Sequence, residues 1–586
     1  MKNIELLSGN EAIARGAYEG GVFFAVGYPG TPATEILEEI IQYKDVNAQW
    51  APNEKVAMDV AFGVALGGRR AMVVMKHVGL NVAADTLMTL SYAGINAGLV
   101  AVTVDDPGMY SSQNEQDNRT YARFAKIPLL EPADSQECKE YISLAFKISE
   151  RFDTPVLLRI TARVAYSKSI VRIGHRLKTT TINKSLIRNP AKFVMMPSNA
   201  RKRRIFVEKR LKKLKNFTEK IWCNRIEAGK KNLGIITSGI SYKHAKEVCP
   251  DASYLKLGMT YPLPELLIKR FAKKFRSLYV IEELNPFLEE QIRSIGIYPK
   301  GKELFPIIGE LNPDLIKKAL RKKFTKKVDL KLSPRLPSLC AGCSYIGLFY
   351  ILKKLNLVVV GDIGCYTLAA TVPLSAMDTC ISMGAGIGVA SGLEIASDNR
   401  IKQRTVAVIG DSTFIHSGIT PLLNIVYNKG TTTTIILDNQ TTAMTGGQPH
   451  PGTGITLKGE KVPKFNYERF VRALGIKRVT VIDSYNLKET EGVIKRELVS
   501  GQPSVIIARN PCLLIAKRKR NKLFGIISHR CIDCGKCLKL GCLAIAIGDD
   551  ERLCIDPQVC TGCSLCKQVC DMDAIEEIEV ESQEKS

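Results

Sequence analysis

The chain has 586 residues, 45% apolar and 24% charged, a balance suited to several globular domains rather than a disordered, fibrous or coiled-coil protein. Its net charge is +25, but the excess is local: Ala165 to Asn232 carries 20 Lys and Arg against three acids, whereas Gly525 to Ser586 carries six against 12. That unevenness argues against a nucleic-acid-binding protein. The absence of any long apolar run argues against a membrane span or a leader peptide, so a cytoplasmic location is expected.

In chain order, Ala71–Met75, Leu99–Val104 and Val156–Ile160 are short apolar runs separated by glycine-bearing turns and helical patterns. They predict buried parallel strands, and residues 1–165 predict a doubly wound α/β domain. Between them, Val56 to Ala65 predicts a helix of small residues, preceded by Pro52-Asn53-Glu54-Lys55. Residues 166–232 form a basic linker or insert, with Ala200–Arg204 and Lys209–Lys215 predicting a solvated helix; docking of an acidic partner or domain is the alternative. Leu233–Gly239 and Leu278–Glu283 frame a small α/β domain over 233–330, closed by a Lys-rich link from Lys317 to Pro337.

A further α/β domain is expected over 335–516. It holds Ile409-Gly410-Asp411-Ser412 after the run Thr405–Val408, and Leu437-Asp438-Asn439 after Thr434–Ile436. A carboxylate at one strand end and an amide at the next can converge on a hard cation such as Mg²⁺, joined by the backbone carbonyl of Thr441. That cation would bridge a ligand's diphosphate at the carboxyl ends of the strands. The spacing from Gly410 to Asn439, 30 residues inclusive, matches the thiamine diphosphate signature, with Ser412 in place of its usual last glycine. Glycines in Gly384–Gly388 would let a helix approach closely. A thiamine enzyme also needs a carboxylate facing the aminopyrimidine ring, and Glu54 is the candidate.

After a basic hinge, Lys517–Arg520, the 524–586 segment is dense in cysteine: nine of the 17 lie between Cys531 and Cys570. Cys531, Cys534 and Cys537 are followed by Cys542, and Cys560, Cys563 and Cys566 by Cys570. In two-cluster ferredoxins the fourth cysteine of each run serves the other cluster. The expected sets are therefore Cys531, Cys534, Cys537 and Cys570 for one 4Fe–4S cluster, and Cys560, Cys563, Cys566 and Cys542 for the other. Structural zinc is the alternative, though two interleaved triplets suit zinc ribbons poorly. Cys554 is expected to be a small buried side chain outside both sets.

These features together resemble the 2-oxoacid:ferredoxin oxidoreductases, and more narrowly the large (alpha) subunits of indolepyruvate:ferredoxin oxidoreductases. The resemblance covers nearly the whole chain except the basic insert. It rests on Gly27–Pro32, Asn53–Ala57, Met75–Asn81, Asp105–Gly108, Ser111–Asp117, Leu257–Pro264, Glu282–Glu289, Gly410–Phe414 and Thr441–Pro449. It implies thiamine-diphosphate-enzyme domains, with the pyrimidine bound by 1–165 and the diphosphate by 335–516, where Gly410, Asp411, Ser412, Asn439 and Thr441 lie. A two-cluster ferredoxin-like α+β domain would follow at 524–586. It implies oxidative decarboxylation of an aryl 2-oxoacid to its acyl-CoA, with electrons passed to ferredoxin and a separate beta subunit as partner. Thr31 matches a threonine that contacts substrate in pyruvate-using relatives, and Met444 replaces a substrate-contacting Asn. Cys340, Cys343, Cys365 and Cys512 follow the order that holds a third cluster in those relatives, with Cys380 left outside. Cys340-Ala341-Gly342-Cys343-Ser344-Tyr345 departs from the usual Cys-Pro-Gly-Cys-Pro-His, which relaxes that turn. The alternatives are another 2-oxoacid, a thiamine-dependent decarboxylase or carboligase without ferredoxin, and a non-catalytic electron-transfer scaffold.

Overall fold

Strands buried on both faces need helices on both sides and few polar interruptions, which is how the apolar runs resolve. The computed structural model describes residues 4–177, 189–230, 232–320, 337–397, 399–516, 522–548 and 550–578. Residues 321–336 of the Lys-rich link and the hinge Lys517–Arg520 lie outside the described residues, as does 178–188 of the basic insert. The chain divides into two compact units, 1–329 and 330–586.

The first unit carries a seven-stranded sheet in the order Met259–Tyr261, Leu129–Leu130, Val156–Thr161, Leu99–Asp105, Ala71–Lys76, Phe24–Gly27, Asn47–Trp50. All neighbours pair in parallel except Met259–Tyr261, which runs antiparallel to Leu129–Leu130. Every residue of Ala71–Lys76, Leu99–Asp105 and Val156–Thr161 is buried. A four-stranded sheet, Ser277–Ile281, Leu233–Ser238, Ser253–Leu257 and Arg225–Glu227, forms the smaller layer.

Buried charge ties these layers together. Arg119, 1% exposed, donates to Asp117 at 2.6 and 2.8 Å, to Glu282 at 2.7 Å and to the carbonyls of Glu283 and Asn285. Beside it Arg159 donates to Asp105 at 2.8 Å and Glu131 at 2.9 Å. Burial still wins at Asp105, whose carboxyl is pushed up to about 6 against the pull of Arg159.

The basic helix Pro197–Thr218 is not solvated all round, contrary to expectation. Val207, Arg210, Leu214 and Thr218 are buried. Arg203 donates to the carbonyl of Tyr92 at 2.6 Å, and Arg210 to those of Ser91 at 2.7 Å and Asp153 at 3.0 Å. The Ser91 and Tyr92 carbonyls end the helix His77–Ala93 and Asp153 caps the end of Ser135–Phe152, places where helix carbonyls lack partners within the helix and favour a cation. Charge counting misses this because an arginine can bury its stem and still deliver its donors.

The second unit has a five-stranded parallel sheet, Val358–Val360, Thr405–Gly410, Thr433–Asp438, Ser504–Arg509, Arg478–Ile482. Two antiparallel ribbons follow, Leu523–Ile526 with Ile575–Ile578 and Ile545–Ile547 with Leu553–Ile555. Phe524, Leu540, Ile545 and Leu565 share one apolar core with Tyr345, Ile346 and Phe349. Cys554 corrects the expectation of burial: it is exposed. Strand residues alternate faces, and Leu553 and Ile555 turn inward on either side of it. Among the described residues no helix is long and apolar enough to cross a membrane.

The two kinds of ion pair should separate in stability. Arg119→Met leaves Asp117 and Glu282 buried without their cation and should destabilise the first unit by ~3–5 kcal/mol. Lys55→Ala removes an exposed pair with Asp59 of similar length, 2.8 Å, and should cost under ~0.5 kcal/mol. Urea midpoints of the two variants check the difference; equal shifts would contradict it.

Candidate active site and cysteine cavities

In the first unit, the carboxyl ends of Phe24–Gly27, Ala71–Lys76 and Leu99–Asp105 deliver Tyr28–Thr31, Lys76-His77 and Asp105-Asp106 to one sheet edge. Glu54 joins them as the first residue of the helix Glu54–Leu66, started by Asn53, whose side chain accepts from Val56 N at 2.9 Å. Glu54 is 5% exposed. Its carboxylate lies against the first turn of His77–Ala93, where a Cβ on Gly79 would stand 2.5 Å from Glu54 Oε1. Thr31 is half-buried, and its carbonyl accepts from Ser111 Oγ at 3.1 Å.

The loop from Asp106 to Asp117 is held down from several sides. Lys76 Nζ donates to Ser111 O at 2.5 Å, and His77 Nε2 lies 3.2 Å from Asn114 O. Glu115 accepts from Gly108 N at 2.7 Å and Gly309 N at 3.1 Å. Burial pushes the His77 imidazole down to about 4, helped by the Lys76 charge, so the ring is neutral. Sequence reasoning quoted Lys76 and His77 within a motif but gave them no role; two polar residues closing a wholly apolar strand were the signal.

In the second unit the strand ends meet at Asp411. Its Oδ1 accepts from Ser412 N at 2.8 Å and its Oδ2 from Gln440 N at 2.9 Å. The second bond draws the turn carrying Asn439 and Thr441 onto Asp411. Asn439 Oδ1 accepts from Thr441 N at 3.1 Å, and Thr441 Oγ1 is buried without a hydrogen-bond partner. Ser412 Oγ accepts from Thr442 Oγ1 at 3.3 Å, and Gly410 N donates to Tyr366 OH at 3.0 Å. A carboxylate, an amide and threonine oxygens form a hard donor set, and the orphaned hydroxyl is a polar atom awaiting a ligand; the set fits Mg²⁺ and a diphosphate.

Two neighbours escaped sequence reasoning. His450 Nε2 lies 3.3 Å from Asp411 Oδ2 but is not aligned to bond it. Asp362 accepts from Gly384 N at 2.9 Å and Gly386 N at 2.8 Å, fixing the start of the helix Ala385–Ala396. Burial pushes the Asp362 carboxyl up to about 6. The expected close approach is found at Gly386, where a Cβ would stand 2.9 Å from Gly361 O. Met444 is 50% exposed on a short turn.

The cysteines sort into three groups. Cys531, Cys534, Cys537 and Cys570 line one cavity. Cys542, Cys560, Cys563 and Cys566 line another, together with Gly342, Phe524 and Thr561. Burial pushes the Cys566 thiol up to about 12, with Cys563, Cys542 and Cys560 adding to it. The third group gathers at the sheet. Burial pushes Cys343 up to about 12, reinforced by Cys340, Cys365 and Cys512, and pushes Cys365 up to about 11, reinforced by Cys512 and Cys340. Cys343 therefore lies within electrostatic reach of Cys340, Cys365 and Cys512, and Cys365 within reach of Cys340 and Cys512. Cys380 bonds Asp362 O at 3.4 Å instead. Thiolates are soft ligands, and a cubane binds each one to a different iron, so the cysteine-rich 524–586 segment fits iron–sulfur binding.

Comparison with known proteins gives the family. Residues 15–202 match the family model "Pyruvate flavodoxin/ferredoxin oxidoreductase, thiamine diP-bdg", and residues 362–508 match "Thiamine pyrophosphate enzyme, C-terminal TPP binding domain". The chain is 38% identical to "Indolepyruvate oxidoreductase subunit IorA" of Archaeoglobus fulgidus, over 97% of this chain and 97% of that one. It is 38% identical to the same-named subunit of Methanothermobacter marburgensis, over 97% and 96% of the two chains. It is 37% identical to that of Pyrococcus horikoshii, over 98% and 97%.

Gly79 offers a test of the Glu54 site that leaves Glu54 itself unaltered. Gly79→Ala puts a methyl 2.5 Å from Glu54 Oε1, too close for the carboxylate to stay in place, and turnover should fall by about tenfold or more, the scale of a misplaced reacting group. Helix content by circular dichroism should not change. Full activity in a folded Gly79→Ala enzyme would show that the Glu54 position does not matter.

Proposed function

The chain belongs to the indolepyruvate oxidoreductase subunit family of the thiamine-dependent 2-oxoacid:ferredoxin oxidoreductases, and on that premise we propose that it oxidises aryl 2-oxoacids to acyl-CoA. The observation that carries the electron-transfer half is the partition of thiols: each predicted interleaved set lines one cavity. A decarboxylase or carboligase has no use for such ligand sets. The aryl preference rests on the relatives' printed name and on the apolar Met444.

Each residue then has a stated task. Glu54 moves a proton at the ring nitrogen of the aminopyrimidine. Asp411, Asn439 and the Thr441 carbonyl hold Mg²⁺, while Gly410 and Ser412 pack against the diphosphate. Thr31 contacts the substrate. Thiamine diphosphate, when bound, supplies the electron sink that decarboxylation requires. The domains follow the sequence division: pyrimidine binding in 1–165, a small domain in 233–330, diphosphate binding in 335–516 and a two-cluster ferredoxin-like domain in 524–586.

The clusters supply one-electron exits. Cys531, Cys534, Cys537 and Cys570 hold one, and Cys542, Cys560, Cys563 and Cys566 a second. Cys340, Cys343, Cys365 and Cys512 hold a third. Gly342, between the first two of those cysteines, lines the cavity of the second set, and a Cβ there would overlap Thr561. The third site therefore adjoins the Cys560 set, which gives the order of exit toward ferredoxin. A separate beta subunit completes the enzyme. Reduced thiols suit a cytoplasmic setting.

Glu54→Gln should retain iron and thiamine diphosphate but lose at least about 100-fold in turnover, the scale of a general acid or base. Near-normal activity would overturn that role. Iron should total about twelve per chain, four for each of three cubanes, and Cys340→Ser should lower it by about four; about eight in the unaltered chain would remove the third cluster. Anaerobic dye reduction with CoA should favour indolepyruvate and phenylpyruvate over pyruvate and 2-oxoglutarate, and the reverse order would overturn the aryl assignment.

A further inference from the structure

Lys76 ends a strand buried along its whole length and precedes the helix His77–Ala93. It is 9% exposed, and its ammonium donates to Ser111 O at 2.5 Å. A carbonyl takes one of three N–H donors and cancels none of the charge. Asp106 acts on Lys76 but is already engaged: its Oδ2 accepts from Ser111 N at 2.8 Å, Ser111 Oγ at 3.2 Å and Ser112 Oγ at 2.5 Å. Elsewhere in this unit Arg119, Arg159 and Lys256 each touch a carboxylate directly. Lys76 is thus a desolvated cation with spare donors.

Its place is as informative as its charge. A Cβ on Gly30 would stand 3.1 Å from Lys76 Cβ, and the Ser111 that takes the ammonium also donates to Thr31 O. Three residues on, Gly79 abuts the Glu54 carboxylate. Lys76 therefore lies among the residues that serve the reacting end of the proposed site, at the carboxyl edge of a parallel sheet. His77 next to it is neutral and adds no competing charge.

We infer that Lys76 is a substrate-binding residue whose ammonium takes the carboxylate of the 2-oxoacid. The inference rests on the reading of Glu54 and Thr31 given under the proposed function. A 2-oxoacid brings a full negative charge that must leave water, and a cation already held dry at the site receives it in a charge-assisted hydrogen bond. Lysine offers a point charge rather than a bidentate fork. That suits a carboxylate about to be lost, because a tighter grip would stabilise the ground state that the reaction must leave.

The test uses the holoenzyme and two probes, phenylpyruvate and its methyl ester. In Lys76→Gln, KM for phenylpyruvate in anaerobic dye reduction should rise about 10–100-fold, the loss of one charged hydrogen bond, with kcat and thiamine diphosphate affinity changed far less. By calorimetry the unaltered enzyme should bind the acid in preference to the ester, and Lys76→Gln should not. Burial pushes Lys76 down to about 8, against Asp106. The form that binds the anion is the protonated one, so kcat/KM for phenylpyruvate should fall as pH rises through about 8. The other ionisable neighbours are His77, which stays neutral there, and Glu54 across Gly79. Lys76→Arg should restore acid binding and carry the fall to higher pH. Unchanged KM and acid preference in Lys76→Gln overturns the inference. So does a profile that is flat through pH 8 in the unaltered enzyme, or the same in Lys76→Arg, which decides the matter even where Lys76→Gln does not fold. Acid preference that depends on Lys76 without dye reduction would sink the proposed reaction and leave the inference standing; dye reduction with binding indifferent to Lys76 would do the opposite.

Discussion

A parallel strand buried on both faces cannot carry its own polar end. The turn after it must supply every partner that water would have supplied, and this constraint shapes both units. Where Leu99–Asp105 ends, Asp105 needs Arg159, which in turn needs Glu131. Where Thr433–Asp438 ends, Asp438 takes Arg509 at 2.6 Å, and that arginine takes Glu468. Charges held this way have little freedom, and rigid charge is what a cofactor or an anionic substrate requires of its site. The strand ends that fold the protein are the strand ends to which the proposed chemistry is assigned.

Much of this was legible in the sequence. The buried strands announce themselves as uninterrupted apolar runs, and Gly410, Asp411 and Asn439 by their interval along the chain. The two cysteine runs were expected to exchange their fourth cysteines as in two-cluster ferredoxins, and each expected set lines one cavity. What was not legible depends on long-range packing. Asp362 reaches Gly384 and Gly386 across 22 and 24 residues, and no local pattern marks it. His450 faces Asp411 across a loop with no periodicity to read.

The basic helix shows the opposite error. Its residues read as a solvated face because lysine and arginine were counted alike. In the fold Arg203 and Arg210 turn inward to carbonyls at the end of another helix, while Arg201, Arg204, Lys209, Lys212 and Lys213 stay exposed. Burial lowers Arg210 only to about 10, so it keeps its charge under ordinary conditions. A planar guanidinium can reach two carbonyls at once and tolerates burial, whereas an ammonium holds its water more tightly. Cys554 misleads in a similar way: residue type suggested burial, and strand alternation decided otherwise.

The cysteine groups add a link between folding and metal loading. Burial pushes the Cys343 and Cys566 thiols up to about 12, and neighbouring sulfurs push in the same direction. Without iron these groups are thiols packed beside thiols; with iron they must all be thiolates, so assembly releases protons and turns mutual repulsion into ligation. The residues around the Cys560 set belong to the core that joins the ferredoxin-like segment to the helix Ser344–Lys354. A cluster held by the proposed Cys560 set would sit inside that joint rather than on its surface. On the proposed function, loading it would stabilise the contact between the proposed electron-receiving segment and the domain proposed to bind the diphosphate, so that the proposed electron path and the fold of the second unit would share one set of residues.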